Sequence, residues 1–463
     1  MRVLIFHGYM LRGTGSNIYN ASLAPALARL GHEVHLLCQD REVRIEGVEI
    51  HNPDIGGLLP VYVKDPYEGF EVKAFPELTE EELDRYLDAN VAAVRAVAEQ
   101  AGGIDVALAN HLVMGPAILA RADVGPFAAK VHGSALEYTV KPHLGRFGPF
   151  AEEGMGAASG VLVGSRHTAE SLWAALPGVT GLQEKTRLGP PGVDTETFRP
   201  RAAAIGGRCG PSCPRPPDVR RPPRIVFVGK FIVSKGLDLL LAAWPLVRTA
   251  HPEARLKLVG YGEYEDGVRR LLSALDSGDL DDAREVARFG RGLEGGEERP
   301  LAILSAFLAD PPPGYVEAAR GMAGSVELVG RLEHDEVAAL LPHAEALVMP
   351  STFPEAFGMV AVEAAACGAL PISAGHSGML EVSRQLAPEL PGDVGRLISF
   401  AVEEGAVEAL AERIDGWLAL PEPEREAARE VLVETTRRLW SWEGVARGVL
   451  AASRGELDRL PLA

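Results

Sequence analysis

Two lysines, two glutamates and a histidine occupy positions from which they could act on a phosphorylated, hydroxyl-bearing molecule. The run Gly229-Lys230-Phe231-Ile232-Val233-Ser234-Lys235-Gly236 sets two cations between an apolar run and a helical pattern. Cations at a strand end can neutralise a diphosphate, because strand C-termini in open α/β sheets face the ligand crevice. Taken singly, each lysine reads equally as a solvated loop residue. In Pro350-Ser351-Thr352-Phe353-Pro354-Glu355-Ala356-Phe357-Gly358-Met359-Val360-Ala361-Val362-Glu363, Glu355 precedes a helical pattern and Glu363 lies about two turns inside it. Both carboxylates can then lie on related faces of one helix start, with Gly358 giving a ligand close access to the backbone. Glu355 can meet sugar hydroxyls while Glu363 reaches a ribose. The alternative is one carboxylate favoured by the helix dipole and one simply solvated; the apolar, Ala-rich surroundings of Glu363 argue against solvation. His132 ends the run Lys130-Val131-His132-Gly133. A lone histidine is more often structural, but a strand end keeps a catalytic role open.

A second glycine-rich turn, Arg12-Gly13-Thr14-Gly15-Ser16-Asn17, follows the first strand pattern and opens a helix. Exposed N–H groups at such a turn favour an anion. The third glycine of a dinucleotide fingerprint is missing, because position 18 is Ile18. A nicotinamide-type dehydrogenase is therefore disfavoured, and Gly13 and Gly15 alone read equally as a tight turn.

The elements that must position these residues alternate from the start. Val3 to Phe6 is a short apolar run, as in a strand covered on both faces. A helical pattern runs from Asn17 to Leu30 and stops at Gly31, and Val34 to Leu37 is the next strand. Further strands are expected at Val106 to Ala109, Ala128 to Val131 and Gly160 to Gly164. The Pro/Arg-rich stretch 201–223 cannot bury an apolar face and reads as a linker. A second series follows, with strands at Ile225 to Val228, Leu256 to Val259, Val326 to Val329, Ala346 to Met349 and Leu370 to Ser373. Helices are expected from Leu237 to Val247 and from Phe357 to Cys367. Two such series predict two doubly wound α/β domains facing a cleft, residues 1–200 and 224–437. The second carries a long insertion, residues 263–325, with an acidic helix-like part around Asp276 to Arg288. An excursion of that length is either functional or mobile.

Bulk properties narrow the classes. Length 463 calls for at least two domains. A balance of 46 Lys+Arg against 64 Asp+Glu, net -18, disfavours nucleic acid as a partner. Cys38, Cys209, Cys213 and Cys367 are too sparse for a disulfide framework, and no second Cys/His pair near Cys209 and Cys213 completes a zinc set. The first apolar stretch is too short for a secretory signal, and no run of 18 apolar residues exists, so the expected location is cytoplasmic.

Together the motifs resemble the retaining glycosyltransferases of family 4, which have the GT-B fold. The E-x7-E element matches as Glu355 and Glu363, and the phosphate loop as Gly229, Lys230, Lys235 and Gly236. Gly192 to Pro200, Gly330-Arg331-Leu332 and Trp442-Glu443 also fit. The likeness spans most of the chain except residues 201–223 and 263–325. It implies two Rossmann-like doubly wound domains facing a central cleft, with a last helix from about residue 438 crossing back to the first.

The resemblance implies that Glu355 contacts the transferred sugar, Glu363 the ribose, and Lys230 and Lys235 the diphosphate, with His132 near the sugar. Gly13, Gly15, Gly229, Gly262, Phe357, Gly358, Met359 and Val360 complete the implied donor-binding set. The reaction implied is retaining transfer of a hexosyl group from a nucleoside-diphosphate sugar, UDP-sugar first, to a hydroxyl of a small molecule, sugar or lipid-linked acceptor. Acceptor deprotonation by a donor phosphate oxygen is likewise implied only by the resemblance. No Asp-x-Asp metal loop is evident, so no metal and no cofactor beyond the nucleotide-sugar co-substrate is expected. Two rivals stay open: a nucleotide-sugar 2-epimerase of the same shape, and a non-catalytic sugar-nucleotide-binding protein. A lipid acceptor has weak local support in Lys141, His143 and Arg146 beside Phe147 and Phe150, a stretch that reads equally as a surface loop.

The sequence departs from the family at three places. Lys230 stands where arginine is usual, so the charge survives without the bidentate fork. The family's Gly-Gly turn is replaced by His376-Ser377-Gly378, and the insertion adjoins the Gly260-Tyr261-Gly262 loop.

Overall fold

The computed structural model describes residues 1–13, 15–63, 67–200 and 222–463. Most of the expected linker, with Cys209 and Cys213, lies outside the described residues. The chain divides into two compact units, residues 1–192 with 440–463, and residues 193–439.

The first unit holds strands β1 (Arg2–Phe6), β2 (Glu33–Leu37), β3 (Val48–His51), β4 (Leu58–Val61), β5 (Glu71–Ala74), β6 (Val106–Asn110), β7 (Phe127–Val131), β8 (Gly160–Val163) and β9 (Thr186–Leu188). Seven form a parallel sheet in the order β3-β2-β1-β6-β7-β8-β9, and β4 pairs with β5 separately. The strand order reverses between β1 and β6, where a doubly wound sheet opens its ligand crevice.

Side-chain alternation builds one core on each face. Leu4, Phe6, Ala107, Ala109, Ala129, Val131, Val161 and Val163 face one cluster. Val3, Ile5, Val34, Leu36, Val106, Leu108, Ala128 and Leu162 face the other, with Ala446, Val449 and Leu450 of the helix Trp442–Ser453. That helix is therefore part of the first unit's core. Gly192 has no room for a side chain there: a Cβ would meet the Trp442 ring at 2.8 Å.

The second unit holds β10 (Arg224–Val228), β11 (Arg255–Val259), β12 (Val326–Gly330), β13 (Ala346–Met349), β14 (Leu370–Ala374) and β15 (Ser399–Phe400). They form a parallel sheet in the order β12-β11-β10-β13-β14-β15, reversing between β10 and β13. Strand ends that the sequence sets at Gly229 and Pro350 are thus brought side by side.

Several boundaries differ from expectation. Residues 193–200 pack with the second unit, because Phe198 is buried against His334, with ring centroids 4.8 Å apart. The helix expected from Phe357 runs from Met359 to Ala366. The acidic stretch 276–288 is no single helix. Gly278 turns left-handed at φ 78° and Asp279 caps a new helix, so Glu265–Ser277 and Leu280–Phe289 are separate.

The insertion is packed structure. Leu271, Leu275, Val286, Leu304 and Leu308 are buried, and Tyr315 Oη donates to the carbonyl of Ala242 at 2.9 Å. Among the described residues no helix is long and apolar enough to cross a membrane.

Candidate active site

In the second unit the crevice is built from the loops that leave β10, β11 and β13. The loop after β10 is fixed from below. Phe231 N–H donates to the carbonyl of Tyr261 at 2.7 Å, and Tyr264 N–H to the carbonyl of Phe231 at 2.9 Å. Gly262 permits this approach: its φ is 150°, and a Cβ would lie 2.5 Å from the Phe231 carbonyl oxygen. Gly236, at φ 70°, likewise lies against the Pro350 carbonyl, joining the β10 loop to the β13 loop. A carboxylate from the insertion completes the support: Val233 N–H donates to Glu294 Oε2 at 2.7 Å.

Against this frame Lys235 Nζ forms an ion pair with the Glu355 carboxylate. Ser351 Oγ donates to the same oxygen of Glu355 at 2.9 Å. Both charged side chains are half-buried, so each still has a face open to a ligand. Lys230 lies one turn of the loop earlier, also half-buried.

Glu355 is not on the helix that carries Glu363. It stands in the loop ahead of Met359–Ala366, so the two carboxylates do not share one helical face. Two groups hold its backbone. Glu355 N–H donates to Ser377 Oγ at 2.9 Å, and Gly378 N–H donates to the carbonyl of Glu355 at 2.9 Å. Gly358 is extended at φ 179°, a conformation open to any residue, and a Cβ there would make ordinary contacts with Met379 at 3.6 Å and Ala361 at 3.8 Å. The fold itself therefore does not demand glycine at position 358. Phe357 is buried, while Met359 and Val360 are half-buried at the helix start.

Ser377 explains how the departure from a Gly-Gly turn is accommodated. Its φ is 51°, in the left-handed region that favours glycine. Its hydroxyl accepts from Glu355 N–H and donates to His376 Nδ1 at 3.1 Å, while His376 Nε2–H donates to the Ser351 carbonyl at 2.8 Å. These bonds offset the strain and tie both sides of Glu355 together. Gly378 is required: a Cβ would lie 2.6 Å from the Ala356 backbone.

Glu363 is buried, as its apolar helix implied, and accepts a bond from His334 Nε2 at 2.9 Å. Burial pulls the His334 pKa down, but the bond to Glu363 and the charges of Glu363, Asp194 and Asp335 outweigh it and raise the pKa above 6.5. Sequence reasoning missed His334. The signal lay just beyond Gly330-Arg331-Leu332, at the first residue of the helix His334–Leu340.

The first unit gathers its own polar cluster at the ends of β1, β6 and β7. His132 Nε2 bonds Asn110 Oδ1 at 2.8 Å; Asn110 Nδ2 donates to Asn20 Oδ1 at 2.8 Å; Asn20 Nδ2 donates to His7 Nδ1 at 3.0 Å. His7 Nε2–H then donates to Asn17 Oδ1 at 3.0 Å. The donors run in one direction, which assigns the proton of His132 to Nε2 and leaves Nδ1 as an acceptor. Burial, then the neighbouring His111, Lys130 and His7, hold the His132 pKa well below 6.5, so its ring is neutral.

His111 packs against His132 with centroids 5.0 Å apart and is fully buried. Burial pushes the Lys130 ammonium down to about 7, where its Nζ donates to the Gly189 carbonyl at 2.6 Å. None of these partners of His132 was legible, because buried Asn and His leave no periodic signature.

Gly13 has φ 93°, Gly15 is the first residue of the helix Gly15–Arg29, and the Arg12 carbonyl accepts from Asn17 Nδ2 at 2.6 Å. Arg146 is half-buried and bonds the carbonyls of Pro76 and Leu78, and Phe147 is buried. That part of the expected basic-aromatic stretch is structural.

Comparison with known proteins agrees with this architecture. Residues 13–197 match the family described as Glycosyltransferase Family 4, and residues 222–288 and 317–433 match Glycosyl transferases group 1. The glycogen synthase of Mycobacterium tuberculosis is 29% identical over 281 residues, 58% of this chain and 54% of that protein. The chain thus spans about half the length of that relative. The GDP-mannose-dependent alpha-(1-6)-phosphatidylinositol monomannoside mannosyltransferase of Mycolicibacterium smegmatis is 27% identical over 358 residues, 75% of this chain and 74% of that protein. Among solved structures, the sucrose-phosphate synthase of Thermosynechococcus elongatus shares the fold with a TM-score of 0.62 at 21% identity, covering 99% of each chain.

Proposed function

Because the chain belongs to the GT-B glycosyltransferases of the family 4 type, we propose that it transfers a hexosyl group from a nucleoside-diphosphate sugar to a hydroxyl acceptor. The observation that carries this reading is the cluster at the reversal point of the second sheet. There Lys235, Glu355 and Ser351 meet, ahead of the helix Met359–Ala366 that carries the buried Glu363. One cation set for a diphosphate and two fixed carboxylates for hydroxyls match the two ends of such a donor.

In this reading Glu363 receives the ribose hydroxyls, held in place by His334. Lys230 and Lys235 receive the diphosphate, and Glu355 the hexose. As the glycosidic bond breaks, its electron pair passes to the departing diphosphate. The two ammonium groups and the N-terminus of the helix Met359–Ala366 stabilise that charge. The acceptor hydroxyl then bonds the anomeric carbon on the face the diphosphate left, and a phosphate oxygen takes its proton. Configuration is retained. The lysines fill the charge-neutralising role that a divalent ion has elsewhere, so this chemistry is metal-independent.

UDP-sugars come first in the test, with GDP- and ADP-sugars beside them; the named GDP-mannose dependence of one relative makes the GDP arm necessary. A donor at 100 times its Kd stabilises the fold by about 2.7 kcal/mol, so a thermal-shift screen identifies it. No shift with any of the three series overturns the reading. Incubation of the bound donor without acceptor, followed by sugar analysis, separates transfer from epimerisation.

A further inference from the structure

We propose that His35, Glu49 and His51 bind a divalent transition-metal cation of the zinc type at the edge of the seven-stranded sheet. β2 and β3 pair in parallel with His35 opposite Glu49 and Leu37 opposite His51. Side chains two apart share a face, so residues 33 and 35 of β2 and 49 and 51 of β3 project to the same side.

On that face three ligand atoms converge. His35 Nδ1 lies 3.1 Å from His51 Nε2 and 3.5 Å from Glu49 Oε2, and His51 Nε2 lies 3.8 Å from Glu49 Oε1. Tetrahedral zinc, with bonds of about 2.0–2.2 Å to nitrogen and oxygen, sets its ligand atoms roughly 3.3–3.5 Å apart. The ring nitrogens at 3.1 Å and the His35–Glu49 Oε2 pair at 3.5 Å bracket that value; the 3.8 Å separation is to the other carboxylate oxygen, and one ligand atom from each residue lies within 4.8 Å of the others. A ring-to-ring hydrogen bond would satisfy only one of these separations, because one N–H serves one acceptor. It leaves the carboxylate drawn in at 3.5 and 3.8 Å, outside good hydrogen-bond range.

A second observation points the same way. The far nitrogen of His35, Nε2, faces Glu33 Oε1 at 3.2 Å. A carboxylate there fixes the proton on Nε2 and turns the Nδ1 lone pair toward the cluster, the usual support of a metal-bound imidazole. Gln100 Nε2 donates to Glu49 Oε1 at 3.3 Å, orienting the carboxylate from the helix Glu80–Gln100. His35 is buried, His51 nearly so, and Glu49 half-exposed, which leaves a fourth position for water. Two imidazoles exclude the oxygen-seeking calcium and magnesium.

Lys230, Lys235, Glu355 and Glu363 are on the other unit, so the ion would be structural. β3 is the outermost strand of its sheet, with β2 its only sheet neighbour among the described residues. A metal ligated from both strands clips that edge in place.

Titrating chelator-treated, dialysed protein with zinc chloride in a calorimeter should give one tight equivalent and a raised Tm. Cobalt(II) should give the visible absorption of a tetrahedral site. Glu49→Gln, at a half-exposed position, and His51→Asn should each weaken zinc binding tenfold or more and abolish the cobalt spectrum. Glu33→Gln should weaken binding about 10–100-fold while leaving the ligand set intact. Absence of a tight equivalent in the wild type, or affinity unchanged in Glu49→Gln and His51→Asn, overturns the proposal.

Discussion

Lys235 and Glu355 neutralise one another across the junction of the β10 and β13 loops. In the proposed reading a diphosphate arriving at Lys235 competes with Glu355 for the ammonium, and the carboxylate it displaces becomes available to the sugar. Removing the ammonium removes one charge-stabilising contact. Lys235→Ala should reduce kcat by about 10²–10³-fold, as loss of a transition-state donor does. Its circular dichroism should match the wild type, because the side chain is half-buried and supports no core. Near-wild-type turnover would remove Lys235 from the diphosphate site.

The pH dependence of stability should report the His334–Glu363 bond. His334 has a folded pKa raised above its ordinary 6.5. Its contribution is therefore complete below the unfolded value and is lost as pH rises through the folded one. The Tm difference between wild type and His334→Gln should be largest near about pH 6 and shrink steadily as pH rises through the folded pKa. A difference independent of pH would mean that the protonated ring adds nothing.

Ser377 offers a test of strain against hydrogen bonding. Ser377→Ala keeps the left-handed backbone and loses the hydroxyl, so it should destabilise by about 1 kcal/mol. Ser377→Gly loses the same bonds but relieves the conformation, and should lie close to wild type. Denaturant midpoints of the two variants decide it. If alanine is the more stable of the two, the left-handed backbone at position 377 is not strained.

Chelator separates the two roles in which a cation could enter. If the lysines carry the diphosphate charge as proposed, turnover at moderate temperature should be the same with and without excess chelator. The Tm should fall in the same samples when zinc is stripped from the edge of the first sheet. A strong loss of turnover that zinc or magnesium restores would contradict metal-independent transfer.

Much of the candidate crevice was legible because strands and their ends write themselves into sequence. Ile225 to Val228 and Ala346 to Met349 are short apolar runs bounded by glycine and proline, and the lysines and Glu355 follow directly. What escaped were contacts between residues distant along the chain. Phe198 joins the second unit through His334, 136 positions away by residue number, and no local period announces that. Helix starts also shifted: Gly358 is extended, so the helix begins at Met359 instead of Phe357, with Glu355 ahead of it as the sequence had it. The His-Asn chain behind His132 draws on β6, the helix Gly15–Arg29 and the turn before it. Its members become a set only when the sheet brings them together.

The Glu294 carboxylate that holds Val233 N–H has a practical corollary. The insertion cannot be trimmed as decoration, since a shortened chain would leave the backbone just ahead of Lys235 without its acceptor. Conversely, a nanobody raised against the surface between Gly290 and Gly295 has a lever on the phosphate loop without entering the crevice. Residues 290–295 are thus a place to tune this protein from outside.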